Sequence, residues 1–218
     1  MKFIEGWYLP DGEKHFSNYL IEVKNSKFPR EYQKQQRENS IKFVDSFNTA
    51  IDIGACVGFW TRDLCKVFKR IICFEPYKNS SDCLIENLKE FDNYELYNVA
   101  LSNQNGKGDL LVSKDGIGSN SLNDFALKND YTIQVEKKRL DDYGFRNVDY
   151  IKIDVQFYEL FVLEGAYQTL KDNNPLLCIE CARRNKEELA YVKKINQFLT
   201  KLNYKIVGGV GKELFFKK

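Results

Sequence analysis

The sequence predicts an α/β fold in which a mostly parallel sheet carries helices on both faces. From about residue 48 onward, short β-rich apolar runs alternate with amphipathic helical segments. Two of those runs, RIICF and PLLCI, are almost continuously apolar, as strands buried on both faces are. Because parallel strands need helical crossovers between them, this alternation favours right-handed βαβ units.

The chain is long enough for one well-buried core and short for two, with 218 residues of which 43% are hydrophobic. We therefore expect a single domain with an N-terminal helical extension, residues 1–47, and a core, residues 48–218. The extension contains the polar helical stretch PREYQKQQRENSIKFVDSF, with Pro29 at its start. We expect this extension, with Trp7, Tyr8 and His15, to cover a ligand cleft of the core.

The core elements follow in order. Strand TAIDIGA, helix GFWTRDLCKVF, strand RIICFEP, helix SSDCLIENLKEF and strand YELYNVAL come first. Residues 106–142 lack a helical period and predict a hairpin-like insertion around the segment KDGIGSNSLND. The alternation resumes with strand VDYIKIDV, helix YELFVLEGAYQTLKD, strand PLLCIEC and helix KEELAYVKKINQFLTKL. The runs YKIVGGV and ELFFKK close the sheet as an antiparallel hairpin, which makes seven strands.

Composition excludes several functional classes. The net charge of +2 provides no broad basic field, so nucleic acid is not an expected partner. No apolar run approaches the ~20 residues of a membrane span, and the N-terminus has no secretory signal. The six cysteines lie mostly in apolar segments, and the only CxxC pair is Cys178 and Cys181. This pattern predicts a reduced, cytoplasmic protein without a zinc site, and it leaves the oligomeric state open.

Glycines and acids stand at the predicted strand ends, where open α/β sheets bind ligands. In the first turn, Asp52 is followed by Gly54 and Gly58, which allow backbone N–H groups to approach a ligand closely. Glu75 ends the second strand roughly 20 residues further on, the spacing at which an acid holds ribose hydroxyls. The NAD fingerprint and the phosphate-binding Gly-Lys-Ser/Thr loop are absent from the sequence. We predict a nucleoside cofactor on this turn; the alternative is that the glycines only let the chain turn.

Four segments, IDIGACVG, FEP, NVALS and KIDVQFYELFVLEGA, together resemble the FkbM family of S-adenosylmethionine-dependent O-methyltransferases over about residues 45–182. The resemblance implies a Rossmann-like class I methyltransferase fold and S-adenosylmethionine as cofactor. The first turn would cradle the methionine part, Glu75 would hold the ribose and residues 98–100 would border the adenine. The implied cofactor-binding residues are Asp52, Gly54, Ala55, Cys56, Val57, Gly58, Thr61, Glu75, Pro76, Asn98, Val99, Ala100 and Asp154.

The chain departs from the family pattern in its most specific segment. The usual strand end reads Lys-x-Asp-Val-Glu-Gly-x-Glu, and this chain has Gln156 and Phe157 at the Glu and Gly positions. Cys56 also stands where Asn or His is more usual. We expect the bulky Phe157 to narrow or reshape the acceptor pocket.

Methyl transfer to a hydroxyl needs a base that removes the acceptor proton. Asp154 and Glu180 are the candidates, because they end neighbouring parallel strands. A carboxylate pair can also hold a divalent cation, but no third ligand is evident from spacing, so metal dependence stays open. His15, the only histidine, is a further catalytic candidate whose alternative is a structural or exposed role. The segment GIGSNSLN, residues 116–123, either lines an acceptor site or is a surface connection.

The resemblance implies a hydroxyl of a sugar, glycan or glycosylated small molecule as acceptor. Enzymes that methylate exocyclic amines of bases typically carry Asn/Asp-Pro-Pro-aromatic where this chain reads DVQFY. A ribose 2′-O RNA methyltransferase is disfavoured, because it needs a lysine in place of Glu180. The rival from another class is a non-catalytic S-adenosylmethionine-binding module, which Gln156, Phe157 and Cys56 would favour.

Overall fold

The computed structural model describes residues 1–26, 31–113, 116–123 and 131–218. Pro29 and parts of the segment KDGIGSNSLND lie outside the described residues. The strands are β1 (Lys2–Ile4), β2 (Trp7–Leu9), β3 (Thr49–Ile53), β4 (Arg70–Phe74), β5 (Tyr94–Tyr97), β6 (Ala100–Leu101), β7 (Gly106–Val112), β8 (Tyr131–Lys138), β9 (Val148–Ile153), β10 (Leu176–Glu180), β11 (Lys205–Val210) and β12 (Glu213–Lys217). The α-helices are α1 (His15–Asn25), α2 (Lys34–Ile41), α3 (Thr61–Leu64), α4 (Lys78–Asn87), α5 (Glu159–Gly165), α6 (Tyr167–Asn173) and α7 (Lys186–Lys201). Within these ranges, no helix is both long and apolar enough to span a bilayer.

The main sheet has seven strands in the order β11-β12-β10-β9-β3-β4-β5. All its neighbours are parallel except β12, which runs antiparallel to β10 and β11. The predicted mostly parallel sheet with a C-terminal antiparallel hairpin is therefore confirmed. Ile53 is level with Phe74 on one side and with Ile153 on the other, so the carboxyl ends of three strands meet at one edge.

The two faces of the sheet bury separate apolar cores. Ile151 and Ile153 of β9 pack into one core with α5 and α7, while Tyr150 packs into the other with Trp60 and Leu64. This alternation follows from the period of two along a strand, and it explains why the strand sequences are apolar throughout. Cys178 and Cys181 also fall into opposite cores, and all six cysteines are free. The CxxC pair is therefore a packing feature.

Three predicted elements of the core differ from the structure. The strand predicted over YELYNVAL divides, because β5 stays in the main sheet while β6 pairs with β8 in a second sheet. The helix predicted over GFWTRDLCKVF is only the short α3. The helix predicted over YELFVLEGAYQTLKD is two helices, α5 and α6. The Asp141 carboxylate accepts hydrogen bonds from the backbone N–H groups of Gln168 and Thr169, which gives α6 its own N-terminus.

The insertion is a hairpin, as predicted: β7 pairs antiparallel with β8 along seven residue pairs. Its described connecting residues include a short 3₁₀ turn at Ile117–Ser119. Ile117 is buried, and Leu111 bridges to Ser121, so this part of the connection packs back onto the protein.

The N-terminal extension contains more than the predicted helix. β1 and β2 form a hairpin through Glu5 and Gly6, which both have positive φ angles, and α1 follows it. Helix α2 is shorter than predicted and begins after Gln33, whose φ is +50°. Leu9 and Phe16 share a third apolar core with residues of the first turn and of the insertion. The division of the chain at residue 48 stays a prediction.

Candidate functional site

A cavity of about 260 Å³ opens at the carboxyl edge of the main sheet. Its walls come from the ends of β3, β4, β9 and β10, from the N-terminal extension and from the insertion. The predicted site residues that line it are Asp52, Gly54, Ala55, Cys56, Glu75, Pro76, Val99, Ala100, Asp154, Glu180 and His15. The remaining predicted residues, Val57, Gly58, Thr61 and Asn98, lie outside the lining. His15 is exposed, so it contributes to the edge of the cavity rather than to its floor.

Gly54 brings the ends of β3 and β9 into contact. Its φ is +80°, and a Cβ added there would lie 2.0 Å from the backbone oxygen of Asp154. The Asp154 N–H also donates to the carbonyl oxygen of Ile53 at 3.0 Å. Any side chain at this position would separate the two strand ends, so only glycine lets Asp154 sit beside the first turn.

Glu75 ties the first turn to the end of β4. Its two carboxylate oxygens accept hydrogen bonds from the backbone N–H groups of Cys56 and Tyr77, each at 2.8 Å. Burial raises the pKa of Glu75 to about 7, although these two hydrogen bonds oppose the rise. Cys56 adopts a φ of +53°, which turns its N–H toward Glu75. Glu75 therefore shapes the turn as well as facing the cavity.

Asp52 has a free acceptor in the cavity wall. Its Oδ2 accepts a hydrogen bond from Thr61 Oγ1 at 2.7 Å. Thr61 therefore does not line the cavity itself but holds Asp52, which does. Its Oδ1 is buried and has no hydrogen-bond partner among the described residues. Burial raises the pKa of this carboxyl group, and Lys152 opposes the rise. Because buried polar atoms in native proteins are almost always paired, this oxygen indicates a place where a ligand can donate a hydrogen bond.

Asp154 and Glu180 come together as predicted from their strand ends, and two further side chains hold them. Lys152 is buried, and its Nζ donates to Asp154 Oδ2 at 3.1 Å. Gln156 Nε2 donates both to Asp154 Oδ1 at 2.8 Å and to Glu180 Oε2 at 2.5 Å. Lys212 Nζ lies 3.2 Å from Glu180 Oε1.

The two carboxyl groups have opposite tendencies to ionise. Burial disfavours ionised Asp154, but the Lys152 ammonium and the hydrogen bonds to the carboxylate outweigh it and lower its pKa. Burial and then the Asp154 carboxylate raise the pKa of Glu180 to about 8, although Lys212 opposes this rise. At neutral pH the pair therefore carries one proton, which resides on Glu180, while Asp154 is free to accept one.

Gln156 and Phe157 both adopt the left-handed backbone conformation, with φ angles of +52° and +67°. Each such non-glycine residue costs about 1–3 kcal/mol, so surrounding contacts must hold the turn. The ring of Phe157 packs against Tyr191 at 5.8 Å between centroids, and Phe157 does not line the cavity. The expectation that Phe157 narrows the acceptor pocket is therefore not supported. Its backbone angle instead explains why glycine is the usual residue there.

Residues 117–122 of the insertion line the cavity, in agreement with the expectation that the segment 116–123 lines a site, and their contact with an acceptor stays a prediction. Sequence reasoning missed three further wall residues, Tyr32 and Gln33 of the extension and Trp60. The Gln33 side chain accepts a hydrogen bond from Trp60 Nε1 at 2.5 Å and donates to Glu213 Oε1 at 3.0 Å. Burial, followed by the Asp154 carboxylate, raises the pKa of Tyr32. No local pattern points to these residues, because packing between distant segments brings them here.

Within the described part of the chain, no group of three or more His, Cys, Asp or Glu side chains is arranged to hold a metal ion. Asp154 and Glu180 are a pair of carboxyl groups that both accept hydrogen bonds from the Gln156 amide.

A family model described as the methyltransferase FkbM domain matches residues 52–206. The 2-O-methyltransferase NoeI of Sinorhizobium fredii (strain NBRC 101917 / NGR234) is 33% identical over 119 residues, which are 46% of this chain and 49% of that protein. The chain thus spans about half the length of this relative.

Solved structures share the fold at low identity. The methyltransferase FkbM from Methylobacillus flagellatus KT matches with a TM-score of 0.55 and 15% identity, covering 79% of this chain and 44% of that one. SMU.1697c from Streptococcus mutans, solved in complex with SAH, matches with a TM-score of 0.53 and 12% identity, and the match covers 85% of this chain and 96% of that one. At these identities the two matches establish the fold, which is that of the class I methyltransferases.

Proposed function

The chain belongs to the FkbM methyltransferase family, and on that premise we propose that it transfers a methyl group from S-adenosylmethionine to a hydroxyl group of a saccharide acceptor. The observation that carries this proposal is the Asp154–Glu180 pair beside the first turn. It combines an ionised carboxylate with a proton-bearing neighbour at the edge where class I folds bind their ligands.

The residues of the first turn fit the cofactor. The unpaired Oδ1 of Asp52 and the turn around Gly54 provide one acceptor and a closely approaching backbone. Glu75 lines the cavity from the next strand end and is our candidate for the ribose hydroxyls. When bound, S-adenosylmethionine supplies a methyl group that is already activated toward nucleophiles. The SAH complex of SMU.1697c supports this choice of cofactor by analogy of fold.

Asp154 is the proposed general base. Its carboxylate accepts the proton of the acceptor hydroxyl, and Lys152 and Gln156 hold it in position for that transfer. Glu180 bears a proton at neutral pH, so the Asp154–Glu180 pair carries a single negative charge before the acceptor arrives. His15 is exposed at the cavity edge, where we assign it to acceptor contact rather than to proton removal.

The acceptor class rests on the family and on the polar wall of the cavity. Ser119 and Asn120 of the insertion and Tyr32 of the extension line the cavity with hydroxyl and amide groups, which suit an acceptor rich in hydroxyls. NoeI, by its name, methylates an oxygen atom. The net charge of +2 argues against RNA as the acceptor. We also propose a reducing, cytoplasmic setting, because the six cysteines are free.

A radiolabelled methyl-transfer assay tests the proposal directly. Oligosaccharides, RNA and protein are offered separately, and Asp154→Asn serves as the matched inactive control. With the wild-type protein, we expect radiolabelled methyl groups in the oligosaccharide fraction and in neither the RNA nor the protein fraction. If calorimetry detects S-adenosylmethionine binding but no acceptor is labelled, the non-catalytic module is the better reading. Label in RNA or protein alone contradicts the saccharide assignment.

A further inference from the structure

The side chain of Gln156 contacts both carboxyl groups of the site. Its Nε2 donates to Asp154 Oδ1 and to Glu180 Oε2, so both of its N–H groups are used. An amide is uncharged, and it can only donate from this nitrogen. A carboxylate at the same position would instead face the ionised Asp154 with like charge.

The backbone around Gln156 is held in a conformation that non-glycine residues rarely adopt. Ser121 Oγ donates to the Gln156 carbonyl oxygen at 2.6 Å, and Asn123 Nδ2 donates to that of Phe157 at 2.7 Å. Glu159 Oε1 accepts from the N–H groups of Val155 and Phe157, each at 3.2 Å. Contacts from two other segments thus fix the turn that points the amide at both carboxyl groups. Strain maintained in this way is typical of functional sites.

We propose that Gln156 is a positioning residue: its amide donates to both Asp154 and Glu180 and puts two N–H groups where a divalent cation bound by the pair would need a further ligand. Asp154 then removes the acceptor proton without help from a metal ion. The kinetic part of this inference rests on the proposed function, whereas the metal-binding part does not.

The charges around the pair agree with this assignment. A cation between the carboxyl groups would meet the Gln156 N–H groups, and it would lie near the ammonium groups that already pair with Asp154 and Glu180. Other titratable groups also face the pair from the elements packed around it: Asp52, Cys56, Glu75, Glu159, Glu213 and Tyr32. Of the described residues outside the pair, Gln156 is the one whose side chain hydrogen-bonds to both carboxyl groups.

The first test is the pH profile of turnover for Gln156→Met, which has similar length but no N–H donor. Losing a donor to the ionised carboxylate raises the pKa of Asp154, so the acid limb of the kcat profile moves to higher pH by roughly half a unit or more. The KM for S-adenosylmethionine is expected to stay the same. If Gln156 were only structural, Gln156→Met would lower stability or kcat without moving the acid limb of the kcat profile. An acid limb at the same pH in both proteins therefore overturns the positioning role.

The second test needs no activity. Mn²⁺ is titrated calorimetrically into the wild type, Gln156→Glu and Gln156→Glu/Glu180→Gln, after thermal melting has confirmed that each is folded. Gln156→Glu brings a third carboxylate to the pair, so we expect Mn²⁺ to bind at least roughly tenfold more tightly than to the wild type. The double variant is expected to lose that gain. Equal Mn²⁺ binding by wild type and Gln156→Glu overturns the inference. Failure of methyl transfer in the labelling assay would count against the proposed function and leave this result unaffected.

Discussion

Lys152 Nζ lies 3.1 Å from Asp154 Oδ2, and the lysine side chain is only 3% exposed. The Asp154 carboxylate is partly exposed, at 19%, and loses its charge partner when Lys152 is replaced, although Gln156 still donates to it. We expect Lys152→Met to lower the free energy of unfolding by about 2–3 kcal/mol at neutral pH, less than for a fully buried ion pair. Urea denaturation measures this change.

Lys212→Met is the matched control for that variant. Lys212 is 53% exposed and lies 3.2 Å from the other carboxyl group, Glu180. Solvent screens this pair, so its loss is expected to cost less than about 1 kcal/mol. An equal decrease in the free energy of unfolding in Lys152→Met and Lys212→Met would show that burial of Lys152 does not make its ion pair more important for stability.

Glu75 is predicted to contribute to cofactor affinity. Glu75→Ala removes an acceptor from the cavity and leaves the N–H groups of Cys56 and Tyr77 without their partner. We expect S-adenosylmethionine binding to weaken by about 2–3 kcal/mol, or roughly 30- to 150-fold, as measured by calorimetry. Glu95→Ala is the control, because Glu95 is an exposed carboxylate of β5 that does not line the cavity, and we expect it to change affinity by less than about threefold. Unchanged affinity in folded Glu75→Ala would remove Glu75 from the cofactor site.

The strand-end part of the site could be predicted from sequence because it follows from topology. Parallel strands end at one edge, so Asp52, Glu75, Asp154 and Glu180 had to meet once the strands were recognised. Their apolar runs are clear signals, since these strands are buried on both faces.

The remaining parts of the site depend on long-range packing and on local backbone angles. Tyr32 and Gln33 reach the cavity from a segment whose polar helical pattern carries no information about what it covers. The sequence shows that Gln156 replaces a glutamate, but not that its amide bonds two carboxyl groups. That contact requires a left-handed turn, which these residue types disfavour and so do not signal. The division of YELYNVAL was equally hidden, because both halves favour β structure.

Stability is predicted to fall as the pH rises from about 4.5 to 8. The folded pKa of Glu180 is about 8, against an ordinary value of 4.5, so in this window the folded state keeps a proton that the unfolded chain has released. The stability that Glu180 contributes is fully present below pH 4.5 and is lost as the pH rises through about 8. Glu75 and Glu159, each with a pKa of about 7, act in the same direction.

Glu180→Gln isolates the share of Glu180 in this dependence. Urea unfolding at pH 5, 6.5 and 8 is expected to give a shallower fall in the variant than in the wild type, because one of the three groups no longer titrates. The same slope in both proteins would mean that Glu180 ionises normally in the folded state.

The N-terminal extension is predicted to act on the acceptor through Tyr32. This residue lines the cavity, and its pKa is raised by burial and by the nearby Asp154 and Glu180 carboxylates. For Tyr32→Phe we expect a roughly tenfold higher acceptor KM, the effect of losing one hydrogen bond, with an unchanged melting temperature. Tyr8→Phe, outside the cavity, is the control. Equal KM values in wild type and Tyr32→Phe would exclude the hydroxyl from acceptor binding.

The proposed reaction requires Asp154 to remove the acceptor proton. Asp154→Asn keeps the shape of the side chain and removes its charge, and thermal melting verifies that the variant is folded. Turnover and S-adenosylmethionine affinity are then measured on the same preparation. We predict that turnover falls by roughly 10²-fold or more, the usual effect of losing a general base, while affinity changes by less than about threefold. Near-normal turnover in this variant would contradict the general-base role of Asp154 and leave it as a residue that orders the end of β9.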